Sequence, residues 1–229
     1  MEKFDLARAR EVLGRQKWLH DHGVDLIEPL LTHARLVDFQ AGMWTYAEGD
    51  EDTGLLIVIR GLVHVLCQAP GERQVLLGSV GAGGAMGQTS RFGGGPRLVT
   101  VRCVENSLIL LASDRALAQI ATTRPQIWKA VAALAYLRSR DLVQLLAETI
   151  ALPPRQRLAA RMIRLAREKD ESGKPMLRLS QEALSEMVGL TRKTVNGYFA
   201  EFEREGLIRH TYASTVLLDP GGLQRVAES

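Results

Sequence analysis

The stretch LSQEALSEMVGLTRKTVNGYFAEFEREGLI, residues 179–208, decides the fold. Ser180 is a good helix N-cap, and Ala183, Leu184, Met187 and Val188 follow it as one apolar face. Gly189 falls where a left-handed turn residue is wanted. Thr191 caps a second helix, with Val195, Phe199 and Phe202 inward at i, i+4 and i+7. The opposite face begins with Arg192, Lys193 and Asn196. Two helices joined by a tight turn, the second opening on a polar cluster, read as a helix-turn-helix. In that arrangement the second helix carries its N-terminal side chains into the DNA major groove. Arg and Lys suit guanine edges and Asn suits adenine. The hydroxyls of Ser180, Thr191 and Thr194, the Gln181 amide and the helix N-terminus suit phosphate oxygens.

Outward from this core, Arg209-His210-Thr211 and Thr215 to Leu218 flank a turn at Ala213-Ser214, as a β wing would. Upstream, Leu158, Met162 and Leu165 begin another amphipathic helix, and Lys169 to Pro175 is a polar loop. Pro153-Pro154 breaks the preceding helix and marks a domain boundary. From Gln126 to Ile150 there is neither Gly nor Pro, and Pro125 suits the first turn of a helix about 37 Å long. Val131, Leu134, Leu142 and Leu145 give it a broad apolar face interrupted by Arg138 and Asp141, which leaves the heptad register open. Such a helix either packs on its own domain or forms a dimer seam; its length favours the seam. Asp114 is placed to cap a shorter helix through Thr122.

The first half has a different character. Of the 21 glycines, 13 lie between Gly42 and Gly95, and none falls between Pro96 and Ser172. Apolar runs at 36–39, 55–59, 62–67, 75–77, 99–103 and 108–112 alternate with Gly, Pro or Asn turns. Val63, Val65 and Cys67 are expected on one strand face, as are Val99, Val101 and Cys103. Short strands between such turns read as a sandwich, roll or barrel. Residues 5–31 contain helix-like stretches.

Composition narrows the function. Residues 1–150 balance 16 basic against 16 acidic side chains, while residues 151–229 carry 13 against 10. The formal excess of +3 therefore sits in the helix-turn-helix third, a modest hint of a polyanion partner. The longest apolar run, Val131 to Leu137, is far short of a membrane span, and residues 1–5 do not begin a secretion signal. The expectation is a soluble, cytoplasmic protein without a membrane partner. Two cysteines supply neither a disulfide framework nor an iron–sulfur cluster, and strand positions make Cys67 and Cys103 inert buried thiols. His20, His22, His33 and His64 show no ligand-like spacing, so haem is left open and no metal site is expected. The glycine run 81–87 fails as a dinucleotide loop because its third glycine position is Met86 and no long helix follows. No catalytic constellation stands out, so no enzyme is expected.

At this point the chain resembles the Crp/Fnr family of transcription regulators. The resemblance is carried by residues 179–196 and 203–208, and upstream by Gly42, Glu48-Gly49-Asp50, Val58 to Gly61 and Met86-Gly87-Gln88. It implies an α+β chain with an effector-sensing, cyclic-nucleotide-binding-like β roll (1–124), a long dimerisation helix (125–152) and a winged helix-turn-helix (153–229). It also implies a homodimer on a two-fold operator in double-stranded DNA, acting through RNA polymerase. The resemblance further makes residues 81–87 a β-roll turn and short helix. Arg192 matches the family's reading arginine; Lys193 stands where Glu is common, and Gly197 where cyclic-AMP-responsive members carry Arg.

The effector pocket departs from the family pattern. Nucleotide binders have Gly-Glu, then Arg followed by Ser or Thr; here the candidates are Gly87, Gln88, Thr89, Arg97 and Leu98. Gln88 bonds a sugar only as a neutral group, and Leu98 donates nothing to a phosphate. Arg97 serves either as an anion clamp or in a structural salt bridge. Leu142 and Val143 fall where hydroxyls would meet adenine. Cyclic AMP is therefore disfavoured, and the effector is unknown. The rival readings are a ligand-independent regulator of the same family, and a small-molecule-binding or catalytic β domain with a helical assembly tail.

Overall fold

The computed structural model describes residues 3–21, 25–52, 54–71, 73–87, 94–166, 168–211 and 214–229. Two compact units divide the chain, Met1–Arg140 and Asp141–Ser229.

In the first unit, α1 (Lys3–Gly14), α2 (Lys17–His20) and α3 (Ile27–His33) precede eight strands among the described residues. These are β1 (Arg35–Phe39), β2 (Trp44–Tyr46), β3 (Gly54–Arg60), β4 (Val63–Ala69), β5 (Arg73–Val80), β6 (Ala85–Met86), β7 (Thr100–Cys103) and β8 (Ser107–Ser113). One sheet runs β1-β8-β3-β6 and the other β2-β7-β4-β5, with antiparallel pairing throughout. The unbroken apolar run in β3 now has a reason. Leu55, Ile57 and Ile59 join the helical layer, while Leu56 and Val58 join the core shared with Val63, Val101 and Cys103 of the second sheet. A strand covered on both faces has no solvent side on which to alternate.

β4 corrects one expectation. Val63 and Leu66 are buried, while Val65 and Cys67 are half-buried. The register shift between β4 and β5 places its extra residue, Leu77, in β5, and β4 keeps an unbroken register with β7. Cys103 is the buried thiol; Cys67 is not fully buried. Burial raises both thiol pKa values, and for Cys67 the negative charge of Glu48 adds to it, so neither is poised as a thiolate.

The unit closes with α4 (Asp114–Thr123) and the long α5 (Gln126–Ala151). Ser113, not Asp114, caps α4: its hydroxyl accepts from the Ala116 amide at 3.2 Å. The run 81–87 is a turn followed by β6, with no helix in it; residues 88–93 lie outside the described residues.

The second unit begins within α5 and continues with α6 (Pro154–Leu165). The expected loop at 169–175 is instead the tip of a hairpin of β9 (Glu168–Lys169) and β10 (Pro175–Leu177). Asp170 builds that tip, accepting from the Ser172 and Lys174 amides. Then come α7 (Gln181–Val188), α8 (Arg192–Arg204), β11 (Ile208–His210), β12 (Thr215–Leu217) and α9 (Pro220–Glu228). Strand order is β11-β12-β10-β9. The sequence reading did not include α9, although Asp219 caps it and Pro220 occupies its first turn. It packs against α6.

Candidate nucleic-acid interface and effector pocket

The helix-turn-helix forms by local chemistry. The Ser180 hydroxyl accepts from the Ala183 amide at 3.1 Å, and that of Thr191 from the Thr194 amide at 3.1 Å. Gly189 adopts φ 66°, the left-handed conformation that closes α7 and aims α8. Val195, Phe199 and Phe202 bury the inner face of α8. The His210 ring of the wing meets Phe199 edge-on at 5.1 Å. Arg155 on α6 anchors the far end of α8, bonding Glu201 at 3.2 Å and Glu205 at 2.6 Å with its guanidinium 5.1 Å from the Phe202 ring centroid.

The opposite face stays in solvent. Ser180, Thr191, Arg192, Lys193 and Asn196 are exposed, while Gln181 and Thr194 are half-buried. Among the described residues nothing pairs with the side chains of Arg192, Lys193 or Asn196. Two cations and an amide therefore stand free at the positive end of a helix dipole, where anions are favoured. The hydroxyls of Thr191 and Thr194 bond each other at 2.9 Å, so both serve the cap first.

The effector candidates have the opposite character. Arg97 is buried, with only 8% of its surface exposed. Its Nη1 donates to the carbonyls of Gly54 at 3.0 Å and Gly87 at 3.2 Å, and the guanidinium lies 4.2 Å from the Tyr46 ring centroid. Its Nε is buried without a partner. The expected alternative, a structural salt bridge, is not what holds it: no carboxylate bonds Arg97 among the described residues. Gly87, at φ 93°, is required by this packing, because a Cβ there would lie 2.4 Å from both Arg97 Nη1 and the Gly54 carbonyl. Backbone bonds between 49–50 and Arg97 fix the adjoining turn.

Two participants escaped the sequence reading. Tyr46 supplies the aromatic face; burial of its hydroxyl pushes its pKa up to about 12 against the opposing charges of Arg97 and Arg138. Arg138 of α5 donates to the Ala85 carbonyl at 3.0 and 3.3 Å, tying the long helix to the strand that leads into Gly87. Tyr46 had no local signal and Arg138 showed only as a break in the apolar face of the long helix, since each matters through its neighbour in space. Leu98 is exposed at 64%. Gln88 and Thr89 lie outside the described residues. Leu142 and Val143 belong to the second unit and are exposed on α5.

The sequence matches known families in two places. Residues 36–124 match the model of the cyclic nucleotide-binding domain, and residues 156–226 that of the Crp-like helix-turn-helix domain. The chain belongs to the Crp/Fnr family. Among its relatives is the CRP-like cAMP-activated global transcriptional regulator of Mycobacterium tuberculosis, 29% identical over 95% of this chain and 99% of the relative. The transcriptional regulator SdrP of Thermus thermophilus is 37% identical over 33% of this chain and 39% of its own length. The FixK2 structure from Bradyrhizobium japonicum superposes with a TM-score of 0.75 at 17% identity, covering 84% of this chain and 96% of that one. The c-di-GMP-responsive regulator CLP of Xanthomonas campestris gives 0.68 at 22%, covering 83% and 97%. These two likenesses bear on the fold. This Crp/Fnr chain is accordingly a transcriptional regulator with a DNA-binding helix-turn-helix and a cyclic-nucleotide-binding-type domain.

The long helix of this Crp/Fnr regulator corrects the seam expected from sequence. Val131 and Leu134 are buried in their own unit's core and offer nothing to a partner. Leu145 is half-buried and Leu142 exposed. The exposed positions Ala132, Tyr136, Ser139, Val143, Leu146 and Ile150 instead alternate by four and three residues along one face. That spacing matches the four-three repeat of a coiled coil.

No helix among the described residues is long and apolar enough to cross a membrane. No group of three or more His, Cys, Asp or Glu among the described residues is placed to hold a metal ion. The His20 ring bonds the Gly14 carbonyl at 2.7 Å, and His33 is exposed at the end of α3. Burial and the nearby charge of Arg102 hold the His64 imidazole down at about 4. His22 lies outside the described residues.

Proposed function

We propose that this Crp/Fnr chain works in the cytoplasm as a homodimer, reads a two-fold operator through α8, and takes its signal in the β roll. The observation that carries the reading is the unpaired cluster Arg192, Lys193 and Asn196 at the capped start of α8. Arg192 contacts guanine or clamps a phosphate, Lys193 supplies charge, Asn196 reads adenine, and Ser180, Gln181, Thr191 and Thr194 hold backbone phosphates. The functional division follows: a sensing domain at 1–124, a dimer helix at 125–152 and a DNA-binding domain at 153–229. Dimerisation uses the stripe from Ala132 to Ile150. RNA polymerase is the downstream partner.

The effector is not cyclic AMP. Leu98 offers no hydroxyl to a phosphate, and exposed Leu142 and Val143 offer none to an adenine. The relay runs from Arg97 by a hydrogen bond to the Gly87 carbonyl, along the backbone of β6 to Ala85, and by hydrogen bonds from the Ala85 carbonyl to Arg138 on α5. A ligand that engages Arg97 would alter the strand to which the long helix is tied.

A second reading is constitutive binding. It is favoured by the way Arg97 already engages two carbonyls and the Tyr46 ring without any ligand.

Selection of operators from random DNA with the full chain, repeated against a panel of nucleotides, tests both. Half-site centres should lie one helical turn or a multiple apart. A ligand that changes operator affinity supports the sensing reading, and equal affinity across the panel supports the constitutive one. Leu146→Asp should convert the dimer to monomer in sedimentation and weaken operator binding by at least about 100-fold, because a charge would be buried twice in the seam. A wild-type monomer at micromolar concentration would overturn the seam.

A further inference from the structure

We propose that Arg155, Arg157 and Arg164 of α6 are positioning residues: they brace the last turns of α5 and the reading helix α8 into one rigid body, and this brace sets the half-site spacing that the dimer accepts. The inference rests on the DNA and dimer reading above. The need for a brace begins with Pro153 and Pro154, which carry no amide hydrogen. In an uninterrupted helix the Thr149 carbonyl would accept from residue 153 and the Ile150 carbonyl from residue 154. Both donors are missing here, and the carbonyls need partners from elsewhere. Arg157 supplies one, its Nη1 donating to the Thr149 carbonyl at 3.2 Å. The first turn of α6 is thereby tied to the last turn of α5 across the break.

A second tie lies further along α6. Arg164 forms an ion pair with Glu148 of α5, with only 22% and 13% of the two side chains exposed. The Glu148 charge also acts on the buried Arg161, against the repulsion from Arg164. Arg157 and Arg164 are separated by about 10 Å along α6, yet they reach adjacent residues of α5. Two ties that diverge on one helix and converge on the other triangulate the elbow and oppose rocking as well as sliding. The third arginine faces α8. Arg155 spans Glu201 and Glu205, one turn apart, and lies over the Phe202 ring. A guanidinium fork holds such a pair with less loss of freedom per bond than a lysine would.

The compact second unit begins at Asp141, so the elbow at 152–154 lies inside it rather than at its edge. Val143, Leu146 and Ile150 of the exposed stripe belong to the same unit as α8. The brace therefore joins part of the proposed dimer face to the residues that read DNA. Inserting one base pair between half-sites moves one of them by roughly 3.4 Å along the duplex and roughly 34° around it. A rigid elbow cannot follow that displacement, whereas a loosened one can.

The experiment compares wild type, Arg155→Gln and the paired variant Glu148→Gln/Arg164→Gln as full-length chains. Each selects operators from random DNA under the ligand panel, and the spacing of the recovered half-sites is read, with sedimentation and thermal melting alongside. Neutralising both members of the pair avoids stranding one buried charge. Wild type should prefer one spacing by roughly 100-fold over its one-base-pair neighbours, and each variant should lower that preference to roughly tenfold or less. Half-site bases, dimerisation and affinity for non-specific DNA should match wild type, which a general loss of fold would not allow. Arg155→Gln, whose ion pairs are partly exposed, decides the matter if the paired variant does not melt cooperatively. An unchanged spacing preference in the folded variants, or a wild type that accepts neighbouring spacings equally, would overturn the inference alone. A wild type that selects no two-fold site under any ligand of the panel would overturn the DNA reading and the inference with it.

Discussion

Arg192 and Arg97 are carried by the same family resemblance, and the molecule treats them in opposite ways. Arg192 stands in water at the start of α8 with no partner among the described residues. Arg97 is buried on two carbonyl oxygens and an aromatic face. An exposed, unpaired cation retains its electrostatic free energy for an incoming anion. A buried cation that has already exchanged water for carbonyls and a ring has committed much of it to the fold. On the function proposed above, α8 meets DNA as it stands, whereas Arg97 would have to leave two carbonyls and an aromatic face before taking a ligand.

Substitutions sharpen that contrast, beginning with the largest effect. Arg97→Ala removes the donor to two carbonyls and uncovers Tyr46, and should cost about 2–4 kcal/mol of stability in urea unfolding. A loss below about 0.5 kcal/mol would place Arg97 among free ligand groups and break the comparison. Arg192→Ala should do the reverse. Stability should stay within about 0.5 kcal/mol, and binding to the selected operator should weaken by about 1–3 kcal/mol. Unchanged gel-shift affinity would remove Arg192 from the interface. Lys193→Ala should reduce the slope of log affinity against log salt by about one if the ammonium sits at a phosphate. An unchanged slope with altered base preference would move it to a base edge.

A pH dependence in the roll gives a further test. His64 stays neutral in the folded chain down to about pH 4, against 6.5 for an ordinary imidazole. As pH falls from about 6.5 to about 4, the unfolded chain takes up a proton that the folded chain refuses, so stability declines through that window. His64→Gln should lose this part of the decline. Identical pH profiles for wild type and variant would show that His64 is not held neutral by the fold.

The legible part of the molecule was the part built from short-range chemistry. The caps at Ser180 and Thr191, the turn at Gly189 and the inner face Val195, Phe199 and Phe202 all depend on residues within a few positions of one another. The strands of the roll were legible as well, since alternation and turn residues are local. The effector site was not. Tyr46 lies 51 residues from Arg97 in the chain and Arg138 lies 53 from Ala85, and no spacing rule links either pair. α9 was legible in principle through Asp219 and Pro220, although its adjacent Gly221 and Gly222 weaken the helix signal.

The sequence by itself determined that this chain carries a β-rich half, a long helix and a capped helix-turn-helix with a free basic cluster. Periodicity and capping record what each segment does with its own neighbours. Only the tertiary structure decided which face of the long helix is spent on the core, which of the two thiols is buried, and what holds Arg97. Each of those depends on what another, distant segment covers, and burial is a property of the pair rather than of either stretch of sequence.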